Sequence, residues 1–206
     1  MKTSVIYICL FLAITINAQS NFNKFLKLSK PLKSWVALHP FKAKKALLIS
    51  EETIRISDSI AKTDLLDGDV SGGQVDAFRH AFWMARLHQE IGKSAAKTLG
   101  KAHEKENYLT FKKNKLEDGF LPDKISSDMD LWNNEQGLKL IVKGSETSKN
   151  GLIFRVINAI LAGKMKIIKK DKKGNFLNCK GDVILTEDLK GKWKNNKCLV
   201  TSNSQN

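Results

Sequence analysis

Three ionisable residues stand close together in the most apolar stretch of the chain. Asp76, Arg79 and His80 lie within residues 72–92, which read GGQVDAFRHAFWMARLHQEIG. Asp76 and His80 are four residues apart, so they share one face of a helix. Burying such groups costs several kcal/mol unless they pair or bind a ligand. A carboxylate and an imidazole on one helix face can bind a metal ion, or they can form a pair that removes a proton from a substrate.

Two further stretches carry polar residues among apolar residues at helical spacing. They are residues 93–111 and 126–144. The polar candidates in them are His103, Glu104, Asp128, Asp130, Asn133 and Asn134. Because all three stretches share this anomaly, we predict that three packed helices direct these side chains into one recess.

A metal site is the first interpretation of this recess. The candidate ligands are His80, His103, Asp76, Glu104 and Asp130. Nitrogen and oxygen ligands in this mixture suit zinc or another divalent transition ion. Such an ion would lower the pKa of a bound water molecule and make it a nucleophile. The HExxH motif of zinc metalloproteases is absent, because Asn107 stands where its second histidine would follow His103.

A pair of histidine and carboxylate without a metal is the second interpretation. Here an aspartate orients a histidine, which removes a proton from water or from a serine hydroxyl. No serine stands out as a nucleophile, because the GxSxG motif is absent. The candidate catalytic residues are His80, His103 and Asp130, and the candidate substrate-binding residues are Arg79, Asn133 and Asn134.

A stabilising network in a non-catalytic module is the third interpretation. Asp76 near the start of a helix would interact favourably with the helix dipole and pair with Arg79. Ser127 and Asp130 have the spacing of a capping box, which would make Asp130 a helix cap. In this case the basic surface of the protein would serve for binding, and the polar cluster would only stabilise the fold.

The elements that must position these residues are mostly helices. Residues 74–91 are predicted to be helical and to end at Gly92, and helical periodicity recurs in residues 41–60, 93–111, 126–144 and 151–163. Gly137 inside a helix costs about 1 kcal/mol relative to alanine, so it predicts the close approach of another helix or a ligand. After residue 164 only short β-like runs and turn signals remain. We therefore predict a mainly α fold, a single domain of about five to six helices with a small C-terminal β-hairpin appendage.

Three segments follow from this pattern. Residues 1–18 contain a short apolar run before Ala18 and are predicted to be a signal peptide, cleaved near Ala18. Residues 19–164 form the helical domain, with the motifs in 40–144, and residues 165–206 form the β-hairpin tail. The expected location is therefore secreted or periplasmic.

Charge and cysteine content extend this expectation. The formal net charge of the chain is +14, which suits an anionic envelope or lipid surface. No nucleic-acid-binding motif accompanies the lysines, and nothing in the sequence indicates an oligomeric state. Export permits oxidation, so Cys179 and Cys198 are a candidate disulfide, with two free thiols as the alternative.

Three short motifs resemble those of an uncharacterised family of bacterial, often secreted domains. The family carries DAFRHAxW, AHE and MDLxNNxxG stretches, which match residues 76–83, 102–104 and 129–137 here. The resemblance covers about residues 40–144. That family has no established activity, so the resemblance groups the motif residues without implying a mechanism. The residues it groups are Asp76, Arg79, His80, His103, Glu104, Asp130, Asn133, Asn134 and Gly137.

Taken together, the sequence favours a hydrolase that acts on a lipid or cell-envelope substrate through a His/Asp site, with or without a metal. The substrate class rests on predicted export and on positive charge alone. The competing hypothesis is the non-catalytic binding or structural module described above.

Overall fold

The fold is mainly α, as predicted, and a small antiparallel sheet lies near the C-terminus. The computed structural model describes residues 25–116 and 121–204, so the predicted signal peptide lies outside the described residues. The elements are α1 (Lys30–Leu38), α2 (Pro40–Ile60), α3 (Gln74–Ile91), α4 (Lys93–Lys112), α5 (Lys124–Lys139), α6 (Lys149–Leu161), β1 (Lys166–Ile168), α7 (Thr186–Leu189) and β2 (Leu199–Thr201). Each helix in the described ranges is too short or too polar to cross a membrane.

Helix α3 is the centre of the fold, and other elements cover it on several sides. Its Phe78 and Phe82 rings stack with 5.4 Å between their centroids and belong to a core shared with α6 and β1. Met84 and Leu87 belong to a second core shared with α1, α2 and α4. The prediction of a helix over residues 74–91 is confirmed at both ends. The helix is buried because it is apolar nearly all round, and it ends at Gly92.

Helices α3 and α5 approach each other closely at Gly137. A Cβ atom on Gly137 would collide with the carbonyl group of Ala81 on α3. The predicted close approach is therefore confirmed, and its cause is backbone packed against backbone. This crossing holds the polar faces of the two helices at a fixed separation.

The start of α5 differs from the prediction. The helix begins at Lys124, and its N-cap is Asp123, whose Oδ1 accepts a hydrogen bond of 2.8 Å from the Ser126 N–H. The predicted capping box at Ser127 and Asp130 is wrong, because Asp123 already caps the helix one turn earlier. Asp130 consequently lies inside the helix, and its side chain faces His80 on α3. The helix also ends at Lys139, before the predicted Gly144.

The C-terminal tail is bonded to the helical body at its first strand. Strands β1 and β2 are the two ends of the tail, and they pair antiparallel with Ile167 opposite Val200. The Asn133 side chain accepts from the Lys166 N–H and donates to the Lys166 carbonyl, each at 2.9 Å. An amide that pairs with both backbone groups of one residue acts like a neighbouring strand, so α5 fixes the edge of β1.

Cys179 and Cys198 form a disulfide in the tail, with 2.05 Å between the sulfur atoms. Their sequence separation is 19 residues. Closing a loop of this length lowers the entropy of the unfolded chain and should stabilise the protein by about 3 kcal/mol. We expect the Cys179→Ser, Cys198→Ser double variant to unfold at a correspondingly lower urea concentration. The reduced wild-type protein should match it, and an unchanged midpoint in both would contradict this stabilising role.

Candidate metal centre

Three buried side chains converge between α3 and α5. Asp76 and His80 come from α3, and Asp130 comes from α5. The Nε2 atom of His80 lies 3.2 Å from Oδ1 of Asp130 and 3.5 Å from Oδ1 of Asp76. One ligand atom from each residue lies within 4.8 Å of the other two. A single ion could therefore contact all three, with one nitrogen and two oxygen donors.

Asp76 is held in place by its own helix and by the loop before it. Oδ1 accepts a hydrogen bond of 2.6 Å from Nη2 of Arg79, and Oδ2 accepts one of 2.7 Å from the Gly72 N–H. Gly72 has φ of +90°, a backbone conformation that favours glycine and turns its N–H towards the carboxylate. Arg79 thus orients Asp76 and balances its charge. The sequence suggested this pairing as an alternative to substrate binding by Arg79.

The cluster lines a small cavity of about 60 Å³. Its walls come from the loop before α3, from α3, α4, the start of α5, and the C-terminal tail. This volume can hold a few water molecules beside an ion. A set of three protein ligands next to such a cavity leaves a position for water or substrate.

Residues 33–164 match the family model described as a domain of unknown function (DUF6973). The chain belongs to this family. The match contains all three residues of the cluster, and it ends before the β tail. No curated protein and no solved structure matches the chain. The family assignment therefore supplies no activity for this DUF6973 domain.

His103 lies beside the cluster of Asp76, His80 and Asp130 in the DUF6973 domain but is not part of it. Its ring centroid is 6.2 Å from that of His80 and 5.7 Å from that of Trp83, and the ring lines the same cavity. Its Nδ1 atom lies 3.9 Å from a carboxylate oxygen of Glu106. The imidazoles of His80 and His103 therefore face one recess.

Glu104 and Asn133 are buried near the recess, and each makes a hydrogen bond to a residue of another element. Oε2 of Glu104 accepts a hydrogen bond of 2.7 Å from the Ser127 hydroxyl, which links α4 to α5. Asn133 binds the Lys166 backbone, as described above. Glu104 is not part of the cluster of Asp76, His80 and Asp130, and Asn133 does not line the cavity.

Two residues of the site, Lys197 and Asp123, were not predicted from the sequence. Nζ of Lys197, in the tail, lies 2.6 Å from Oδ2 of Asp123 and 3.8 Å from the centroid of Phe176, and all three line the cavity. A Pro-Asp pair before a helix is an N-cap signal that could have identified Asp123. No signal distinguishes Lys197 from the other lysines of the tail.

Asn134 is a buried neighbour of the His80 side chain. Neither Nδ1 of His80 nor the Asn134 side-chain amide makes a hydrogen bond within the described residues, and these atoms are buried. The amide is nevertheless near enough to favour the charged ring. Binding an ion through Nε2 places the proton on Nδ1, which then needs an acceptor. Asn134 is the candidate acceptor, because its side chain interacts with the His80 ring and its buried amide oxygen makes no other hydrogen bond within the described residues.

The environment of His80 keeps its imidazole neutral. Burial is the largest cause that lowers its pKa well below the usual value of 6.5, and the charges of Arg79 and His103 lower the pKa further. The carboxylate oxygens near Nε2 favour the charged ring, but the charge of Asp76 is already shared with Arg79. Burial and the charges of Arg79 and His103 together keep the pKa of His80 low. A neutral imidazole is the form that binds a metal ion.

The low pKa of His80 predicts how stability depends on pH. In metal-free protein, the unfolded chain takes up a proton near pH 6.5 while folded His80 stays neutral. The free energy of unfolding should therefore fall as pH drops below about 6.5 and should carry no His80 contribution well above it. Urea unfolding between pH 8 and pH 5 measures this slope. It should be smaller in His80→Gln, and an equal slope in both proteins would contradict the assignment.

Proposed function

We propose that this DUF6973 domain is a metal-dependent hydrolase whose divalent ion is held by Asp76, His80 and Asp130. The observation that carries the proposal is the convergence of one imidazole and two carboxylates, all buried, on one cavity. Buried acidic groups at such short separation repel each other, and a divalent cation relieves that repulsion. One nitrogen and two oxygen donors suit zinc or another divalent transition ion.

The residues around the ion would divide the work of hydrolysis. When bound, the ion would lower the pKa of a water molecule in the cavity. His103 is the base that would take the proton as the water oxygen adds to the carbonyl carbon of an ester or amide. When the bond from that carbon to the leaving group breaks, His103 would return the proton to the leaving atom. Arg79 would keep Asp76 oriented throughout.

The substrate is proposed to be a lipid or cell-envelope component met after export. The apolar run before Ala18 supports export. The charge of +14 supports a polyanionic or anionic-lipid environment. Both inferences rest on the sequence, so the mass of the protein recovered from the periplasm or medium would test cleavage near Ala18.

Elemental analysis of protein purified without chelator tests the metal directly. We expect about one divalent transition ion per chain, as for a catalytic site with three protein ligands and an open position for water. Chelator treatment should remove the ion and abolish hydrolysis of ester substrates, and returning the ion should restore it. Protein that folds, carries no ion and binds none on titration would overturn the proposal.

A stabilising network is the second candidate, and the bonds of Asp76 favour it. Both carboxylate oxygens of Asp76 already accept hydrogen bonds, from Arg79 and from Gly72. His80→Ala separates the two candidates. Loss of folding without any metal in the wild type would favour the network, whereas a folded variant that lost its ion would favour the enzyme.

A further inference from the structure

A second and larger recess lies on the other side of His103. It is an apolar groove of about 440 Å³ between α1, α2, α3 and α4. A volume of this size is typical of pockets for small organic ligands. Leu32, Val36, Ala43, Leu47 and Leu99 contribute hydrocarbon to its walls.

Two tryptophans line the groove with their polar atoms already engaged. The Trp35 indole N–H donates to the Ala95 carbonyl and to the Thr98 hydroxyl, each at 3.1 Å. The Trp83 indole N–H donates to the Ser50 hydroxyl at 2.9 Å. The groove therefore presents mainly ring faces and aliphatic carbon, which favour a hydrocarbon chain over a polar ligand.

His103 borders both the groove and the metal cavity. It is the residue common to the two recesses, and its ring centroid lies 6.2 Å from that of His80. A ligand that fills the groove can consequently bring a polar end to His103, beside the cluster of Asp76, His80 and Asp130. The ligand implied by this arrangement is an amphiphile, with an apolar chain and a polar head.

The surface around the groove is basic and carries exposed apolar side chains. Residues 25–50, which form two of its walls, contain six lysines and no acidic residue. At the corner between α1 and α2, Leu38 is 78 % exposed and Phe41 is 100 % exposed. Pro40, between them in sequence, lines the groove. Exposed apolar residues within a basic surface complement an anionic lipid interface.

We propose that the groove binds the acyl chain of an anionic lipid and presents the polar end of that lipid to the metal site. The hydrolysed bond would then be the ester or amide that joins the acyl chain to the head. The hydrolysis step of this inference rests on the proposed function. Binding of the acyl chain in the groove does not depend on that function.

Leu47 and Leu48 provide a matched pair of variants. They are neighbours on α2, and both are exposed, at 36 % and 51 %. Leu47 lines the groove and Leu48 is absent from its lining. Leu47→Glu and Leu48→Glu therefore make the same change in charge and side chain, and only the first places a carboxylate in the groove.

Binding of a dansyl-labelled undecanoic acid to the protein from residue 19 onwards tests the proposal, with energy transfer from tryptophan as the signal. The wild type should bind the probe saturably. Leu47→Glu should weaken binding about tenfold, the effect of removing one partly buried leucine contact, and Leu48→Glu should bind like the wild type. Ala43→Trp should exclude the probe by filling the groove, which keeps the test valid if Leu47→Glu folds poorly.

Two outcomes would overturn the proposal. One is the absence of saturable binding by the wild type. This result would overturn the proposal whether another segment of the protein fills the groove or the groove simply binds no acyl chain. The other is equal binding by the Leu47 and Leu48 variants. Metal analysis of the same samples separates this proposal from the hydrolase. Probe binding by a protein that holds no ion would contradict the hydrolase proposal alone. A bound ion without probe binding would contradict the lipid-site proposal alone.

Discussion

Asparagine in place of Asp130 is expected to abolish metal binding while the protein stays folded. The change removes one of the two carboxylates near Nε2 of His80 and preserves the volume of the side chain. Loss of a residue that only orients a ligand costs about 10- to 100-fold in metal affinity. Loss of a ligand itself should cost more than about 100-fold. Metal titration of chelator-treated protein, with circular dichroism to establish folding, measures the effect.

Asp128 supplies the control for this experiment. It lies two residues earlier on α5, where both its carboxylate oxygens accept from Nζ of Lys124 at 2.6 and 2.8 Å. Asp128→Asn removes the same charge from the same helix, but the site does not include Asp128. Its metal affinity should stay within about threefold of the wild type, as expected for an exposed ion pair. Equal losses in the two variants would show that net charge, not coordination, controls binding.

The spacing of residues along α3 predicts two of the three residues of the cluster from the sequence alone. Asp76 and His80 are one helical turn apart, so local geometry brings them together in any helix. The bounds of α3 were also accessible, because glycines precede it and Gly92 ends it. The contribution of Asp130 required a tertiary contact. It was inferred from the polar residues on a third apolar helix, and close packing at Gly137 now explains its position.

The rest of the site depends on contacts between distant parts of the chain. Lys197 reaches Asp123 across 74 positions, and Asn133 pairs with the backbone of Lys166 across 33 positions. Neither contact has a local pattern in the sequence. The start of α5 was misplaced for a different reason. Asp123 and Ser127 both have the chemistry of an N-cap, so the sequence offers two starts about one turn apart, and Asp123 is the residue that caps the helix.

Alanine in place of Gly137 should destabilise the whole fold. Its Cβ atom would overlap the carbonyl group of Ala81, and a backbone carbonyl within α3 cannot rotate away. Helix α5 would have to move outward, at a cost of about 3 kcal/mol, the upper part of the usual range for overpacked cores. The gain in helix propensity, about 1 kcal/mol, is smaller than this cost. Urea unfolding followed by circular dichroism measures the loss.

Gly151 is the matched glycine for this test. It lies in the first turn of α6, where its N–H donates to the Ser148 hydroxyl at 3.1 Å, and an added Cβ would meet that hydroxyl at 3.2 Å, so the side chain needs only a small shift that keeps the cap. Gly151→Ala should therefore change the free energy of unfolding by no more than about 0.5 kcal/mol. Gly137→Ala should also weaken metal binding, because outward movement of α5 separates Asp130 from His80. If Gly137→Ala were as stable as Gly151→Ala and bound metal normally, then the α3–α5 contact would not be what positions the site.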